Sequence, residues 1–554
     1  DKPFILVEYC HAMGNGPGDL EDYWEIILAD EHACGGFVWE WCDHTVLAGR
    51  DETGREIHLY GGDHGEAVHD GNFCVDGLVA PDRTPHAGLL ELKNVQRPAR
   101  VVDYDQERGL VTLRNDLDFT DLDQYARLSY EIRCDGTVVE SGPLELPGPV
   151  PPHSIVTLRC APAVPDAGRC HLLITSRLRR QVPLLEPGHE LGFDEIPLAN
   201  ADPRHRAVAK ALGPVAEALE AGADVAARPN GAVGCADPAG AVGAGSAVGA
   251  GSAADAADAV RDGCETTLTG GDLTVVVDTR SGLPRSLRVG DRELLDRPME
   301  LNIWRAPTDN DRHIRRQWER AGYDRAGAQA YSTRIIRRRG AVAVHAEMSV
   351  SATALQPALR VRAVWTVTES GELAVNLRAR KSEGFPCLPR FGLRLFLPSS
   401  MHQVAYYGLG PGESYIDKHR SCHHDEFRTT VAELHEGCIR PQENGSRADC
   451  DYVALTEGAD DALELTAVGL RPFSFNVSAY TQEELTETAH DAELSPCGST
   501  VLCLDGAMAG MGSASCGPEL RPDYRVDEDA LGLDLVLLPL ISSPIPNSAH
   551  NEVN

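Results

Sequence analysis

The sequence has no run of about 20 apolar residues, the length a helix needs to cross a hydrocarbon core, so no segment reads as a membrane-spanning helix. It has no excess of positive charge: 51 Lys and Arg stand against 84 Asp and Glu, a formal net charge of -33. Nucleic acid and anionic membranes both require a basic surface, and neither is expected as a partner. It has no C-x-x-C pair, and its 16 cysteines are scattered over 554 residues. That density is far below a disulfide scaffold, so the thiols are expected to be reduced and mostly buried, as in a cytoplasmic protein. Cys422-His423-His424 is the nearest approach to a metal cluster, but zinc sites show paired ligands at set spacing and this triplet does not. The opening DKPFILVEY has neither a basic n-region nor a small-residue cleavage site, so it is not a signal peptide. It starts without Met on a strand-like run, and the chain is expected to be cut from something longer.

What is present is enough for three or four domains of about 150 residues each. Residues 1–97 read as α/β. Phe4-Ile5-Leu6-Val7 is a continuous apolar run, as in a strand buried on both faces of a parallel sheet. Glycines break the chain, and Leu20, Tyr23, Trp24, Ile27 and Leu28 then recur at helical spacing, which predicts an amphipathic helix over 19–32. Phe37-Val38-Trp39 follows as a second buried strand. One strand–helix–strand unit cannot cover its own faces, so apolar surface at 4–7 and 37–39 is expected to be exposed. Residues 98–204 alternate in short segments between turn signals and predict an antiparallel sandwich. Residues 205–262, rich in Ala and Gly, predict a flexible linker holding at most a short helix near 206–220. Residues 263–545 predict one large two-sheet β domain, and 546–554 a disordered tail.

Glu8 stands at the end of the first apolar run, where ligands bind in sheets of parallel strands. The alternative is a strand-end carboxylate paired to an arginine. Trp39, at the next strand end, offers a flat apolar face suited to a sugar, or is core packing. Glu40, Trp41, Cys42 and Asp43 carry no assigned role.

The segments ILVEYCHAMGNG (5–16), GGFVWEWCDH (35–44) and YGGDHGEAVHDGNFCVDGLVAPDRTPHAGLLELK (60–93) resemble the last part of the barrel of family 2 β-galactosidases. RAPTDND (305–311), YYGLGPGESYIDK (406–418), RPQENGSR (440–447), FSFNVSAYTQEELTETAH (473–490) and GMGSASCGPEL (510–520) resemble the C-terminal β-domain of the same enzymes, in the same order. The resemblance implies the C-terminal end of a (β/α)8 TIM barrel, then an immunoglobulin-like β-sandwich and a large C-terminal β-sandwich. It implies a retaining glycosidase acting on β-galactosides such as lactose, with Glu8 as the nucleophile that forms a covalent galactosyl intermediate. His11, which by itself reads as a loop histidine, would contact sugar hydroxyls, and Trp39 would be the platform under the galactose. Phe73, through its carbonyl, and Asp76 would stand by a sodium or potassium ion near the sugar's 6-hydroxyl; without the resemblance Asp76 reads as an Asp-Gly turn. Cys516 falls where some members carry a tryptophan that stacks on the aglycone, so lactose preference is in doubt; its plain reading is a buried loop thiol.

The same resemblance implies what is not here. A retaining glycosidase needs a second carboxylate about 5–5.5 Å from the first, and the family's acid/base segment lies upstream of the matched blocks. Glu443 belongs to the QENG block of the β-domain, not to a barrel strand. Magnesium ligands of the full enzyme also lie upstream. The chain by itself is expected to be inactive and to need a complementing N-terminal half, with assembly into homo-oligomers an added expectation. Two other functions compete: a non-catalytic β-sandwich binding carbohydrate or a partner chain, and a glycosidase for glucuronides or mannosides.

Overall fold

A computed structural model describes residues 2–215, 257–458 and 462–541, and the chain is mostly β-strand. Strand β1 (Phe4–Tyr9), helix α1 (Leu20–Ala29) and strand β2 (Ala33–Val38) form the first unit, with β1 and β2 parallel. Leu6 faces Gly36 across the pair, and a Cβ on Gly36 would lie 2.8 Å from both Leu6 Cβ and Tyr9 Cδ1. Only glycine lets the two backbones approach this closely. The helix packs through buried Leu20, and its Trp24 indole donates to the Tyr9 hydroxyl at 2.9 Å. Away from the helix the pair is bare: Phe4 is 59%, Val7 76% and Phe37 66% exposed. Both runs are therefore strands, yet neither is buried on two faces. Among the described residues, only one face has a helix to cover it.

A short antiparallel pair, β3 (Val46–Arg50) and β4 (Glu56–Leu59), and helix α2 (Ala87–Val95) follow. Seven strands then form two antiparallel sheets, β5 (Ala99–Asp105), β6 (Leu110–Asn115) and β9 (Ile155–Arg159) in one, β7 (Ala126–Cys134), β8 (Thr137–Leu144), β10 (Cys170–Leu178) and β11 (Glu190–Leu198) in the other. Val111, Leu113 and Leu158 from the first sheet share a core with Leu128, Ile132, Leu172 and Ile174 from the second. The alternation of buried and half-buried residues along β6 is the period-2 signature of a strand with one face inward.

The first end of the expected 205–262 linker holds the short helix expected near 206–220, and its last end differs from expectation. Arg206–Leu212 is helix α3, and Leu212 and Val215 pack against Ala374, Val536 and Leu538 of a large sheet. Asp258–Asp262 is strand β12, paired along its length with Glu265–Gly270. A few apolar residues at helical or strand spacing, Val208 and Ala259 among them, are enough to dock these ends on preformed surfaces. Residues 216–256 in between, and the expected tail 546–554, lie outside the described residues.

Five antiparallel strands over 258–293 form one sheet, and twelve over 297–541 form a much larger one. A single apolar cluster joins them, including Val275 and Leu287 from the smaller sheet and Trp365, Leu377, Phe391 and Leu535 from the larger. The loops of this region, at 305–311, 409–418, 440–447 and 509–517, lean back onto the segment that follows β1.

Candidate active site

Tyr9 and Glu8, neighbours at the end of β1, have opposite surroundings. Tyr9 is buried against α1, with its ring edge-on to Tyr23 at 5.3 Å, and burial pushes its hydroxyl up to about 12. Glu8 is exposed, at the carboxyl end of a parallel strand.

The chain turns sharply after Glu8. Cys10 takes a left-handed φ of 47° and its thiol donates to the Gly18 carbonyl at 3.0 Å. This brings His11 into the interior, 2% exposed. Its Nδ1 meets the Ser515 hydroxyl at 3.2 Å, and its Nε2 lies 3.4 Å from an Asp76 oxygen without forming a hydrogen bond. Burial lowers the pKa of His11, while the negative charges of Glu8, Glu40 and Asp309 act against that. The neutral ring is thus favoured.

The segment 11–19 owes its shape to the large sheet region. The Asn15 amide donates to Glu413 at 2.9 Å and to the Glu443 carbonyl at 3.0 Å. Lys418 donates to Asn15 Oδ1 at 2.9 Å and pairs with Glu413 at 2.6 Å, all of it buried. The charged partner and these donors hold the Glu413 carboxyl below its ordinary range despite full burial. The Gly18 and Asp19 amides donate to the carbonyls of Gly512 and Asp417. A Cβ at Gly18 would meet Asp417 Oδ2 at 2.2 Å and the Gly512 nitrogen at 2.6 Å, so this contact excludes any larger residue.

The 509–517 loop is fixed in turn. Arg305 pairs with Asp311 and donates to the carbonyls of Ala509 and Gly510 at 2.9 Å. Asn310 bridges the Gly512 carbonyl and the Ser515 amide, and Asp417 accepts from the amides of Met511 and Gly512. These bonds set Ser515 on His11 and carry Cys516 to Glu8. A Glu8 oxygen, a His11 nitrogen and the Cys516 sulfur all lie within 4.8 Å of one another. Cys516 is exposed, which corrects its plain reading as a buried loop thiol. The loop backbone is spent on Asn310, Arg305 and Asp417, and the side chain at 516 is left facing outward.

Trp39 follows β2 directly and is 44% exposed. Its carbonyl accepts from the Ala12 amide at 2.7 Å, which ties it to the Glu8 segment, and the next amide, of Glu40, donates to the Asp76 carbonyl at 2.8 Å. Asp76 is 2% exposed, so it is not a solvent-facing turn residue. Burial, reinforced by Glu40 and Asp43, raises its carboxyl from 3.8 to about 7. Its Oδ1 is buried without a hydrogen-bond partner among the described residues. The half-buried Phe73 ring lies 5.4 Å from the His11 ring and beneath the Arg312 guanidinium. An orphaned carboxylate oxygen in an acidic pocket fits a hard monovalent cation, whose ligands are oxygens.

The structure therefore brings Glu8, His11, Phe73, Asp76 and Cys516 together, with Trp39 joined through the backbone. Glu443 stands apart from this group, its carboxylate facing Arg390 in a buried pair at 3.3 Å. Sequence reasoning missed Ser515, Asn15, Glu413, Lys418 and Asp417. The only signal was that these residues lie in or beside the matched blocks.

Comparison with known proteins gives three matches along the chain. Residues 1–101 match the family described as glycosyl hydrolases family 2, TIM barrel domain; 111–199 match beta-galactosidase, domain 4; and 269–537 match beta galactosidase small chain. A beta-galactosidase of Actinobacillus pleuropneumoniae is 36% identical over 95% of this chain and 47% of its own length. Those of Staphylococcus xylosus and an Arthrobacter species are 34% and 30% identical, over 95% and 96% of this chain and 48% and 50% of their own. The chain thus spans about half the length of the curated relatives it matches.

Proposed function

The chain belongs to the glycoside hydrolase family 2 β-galactosidases, and from that premise we propose that Glu8 is the nucleophile of a retaining β-galactosidase whose acid/base carboxylate comes from outside these 554 residues. Glu8 attacks the anomeric carbon of a terminal β-galactosyl group while the acid/base protonates the leaving oxygen. A galactosyl ester on Glu8 results, and water released to attack by the same acid/base hydrolyses it. The negative charge of Glu8 also stabilises the oxocarbenium-like transition state.

His11, kept neutral by burial and held by Ser515, can give and take hydrogen bonds with sugar hydroxyls. The exposed face of Trp39 covers the apolar face of the ring. Asp76 and the Phe73 carbonyl would hold a sodium or potassium ion, which lends a positive charge beside a sugar oxygen. Cys516 takes the aglycone side, where a thiol offers far less stacking surface than an indole. Lactose is therefore a weaker fit than galactosides with small leaving groups. The free edges of the two-stranded β1–β2 sheet are where a complementing N-terminal half would continue the barrel, covering the bare faces as it does so.

The observation that carries this reading is Glu8 itself: an exposed carboxylate at a parallel strand's end, beside His11 and Cys516. The test is to complement the chain with the N-terminal half of a relative and trap it with a fluorinated galactoside. The label is expected on Glu8; on any other residue it refutes the assignment. Without the complementing half, a chromogenic galactoside is expected to remain uncleaved.

A further inference from the structure

The approach of Cys516 to Glu8 and His11 puts a carboxylate, an imidazole and a thiol together, a ligand set that galactoside hydrolysis does not require. We propose that Glu8, His11 and Cys516 form a binding site for a thiophilic divalent cation such as zinc. Zinc takes carboxylate oxygen, imidazole nitrogen and thiolate sulfur together, and three protein ligands plus water make a complete tetrahedral site. The three ligand atoms already lie within 4.8 Å of one another. In a tetrahedral zinc site, with bonds of about 2.0–2.3 Å, ligands sit roughly 3.3–3.8 Å apart. The closure needed is therefore at most about 1–1.5 Å. Glu8 and Cys516 are exposed and can turn by rotamer change; His11 is the fixed post.

His11 supplies the independent sign that a ligand belongs here. The ring is 2% exposed, and its Nε2, 3.4 Å from an Asp76 oxygen, has no hydrogen-bond partner among the described residues. In the tautomer that donates from Nδ1 to Ser515, Nε2 carries a free lone pair, and the hydroxyl fixes the ring as an outer partner does in metal sites. Charge agrees: the carboxylates of Glu8, Glu40 and Asp309 act on the ring, partly offset by Arg312. Binding would release the thiol proton of Cys516 to solvent and leave a zinc thiolate, with no change of oxidation state. The second such cluster, His171, Glu195 and His424, is less open. Both nitrogens of His424 are already taken, by Glu195 at 2.7 Å and Asp449 at 2.8 Å.

If the reading of Glu8 above holds, zinc here blocks the nucleophile, and the metal is an inhibitor rather than a cofactor. The test needs no glycoside, so it stands apart from that reading. Cobalt is titrated into the metal-free 554-residue chain to look for a sulfur-to-cobalt charge-transfer band, and zinc binding is measured by calorimetry. A band is expected, and Cys516→Ser is expected to abolish it and weaken zinc at least about tenfold. Cys264→Ser, which removes another exposed thiol, is expected to change neither. Glu8→Gln, at an exposed position, is expected to weaken zinc with the fold intact by circular dichroism. No band, a band that survives Cys516→Ser, or equal loss in both cysteine variants would overturn the proposal.

Discussion

Two apolar runs in this molecule have opposite fates. Phe4-Ile5-Leu6-Val7 in β1 leaves Phe4 59% and Val7 76% exposed, whereas Leu373-Ala374-Val375 in the large sheet is wholly buried. Both form strands, and by composition either could fill a core. The difference lies in the neighbours. The second run has strands on both sides and a second sheet above it; the first has one parallel partner and one helix. An apolar run states a capacity for burial, and the rest of the fold decides whether it is used. The same contrast divides the site: the β1 region supplies Glu8 and His11, and the large sheet region supplies the bonds that hold them.

The comparison can be broken in four ways. The largest effect is expected from Glu8→Gln in the complemented enzyme, which should lower kcat on the order of 10⁵-fold, as removal of a nucleophile does. Loss of only a few fold, read by steady-state kinetics, would show that the exposed carboxylate of β1 is not the reacting group. Next comes the buried clamp. Lys418→Met leaves Glu413 buried without its cation and is expected to cost about 3–5 kcal/mol, measured by urea unfolding. If the segment after β1 were held by its own sequence instead, the loss would be small.

The third is a pair of substitutions. Leu377→Ala in the large sheet should destabilise by about 2–5 kcal/mol, while Val7→Thr on the bare face should stay within about 0.5 kcal/mol. Equal effects would mean that β1 is covered in solution. Limited proteolysis, too, should remove residues 1–97 before the sheet regions.

The smallest concerns Asp76. Its carboxyl keeps its proton up to about pH 7 when folded but only to about 3.8 when unfolded. The native state binds more protons between those values, so stability falls as pH rises through that window, with the full penalty above it. Asp76→Asn should flatten this part of the pH–stability curve. Sodium should raise the Tm of the parent chain more at roughly pH 8 than at roughly pH 6, because only the ionised carboxylate attracts it. An equal rise at both would remove Asp76 from the cation site.

How far the sequence could be read depended on the separation of the partners. Helix α1 was legible because Leu20, Tyr23, Trp24 and Ile27 repeat within one element. Glu8 was legible because it closes an apolar run, and the matched motif gave it a role. Ser515 was not, since it meets His11 from 504 positions away; nor was Glu413, 398 positions from Asn15. Periodicity and propensity act over a few residues and carry no information about such pairs. The exposure of Cys516 and the strand Asp258–Asp262 at the end of the Ala/Gly stretch were missed for the same reason, because each depends on a surface made elsewhere in the chain.

The sequence by itself determined the residue types: a carboxylate after a strand-forming run, alternating β segments, an acidic surface, and the motifs that mark the family. Local rules of helix and strand, together with that resemblance, suffice for these. The tertiary structure alone decided that β1 stays half bare, that Lys418 and Glu413 clamp Asn15, and that a thiol stands beside Glu8. Those outcomes depend on which distant groups exclude water from one another, and no stretch of sequence contains both halves of such a contact.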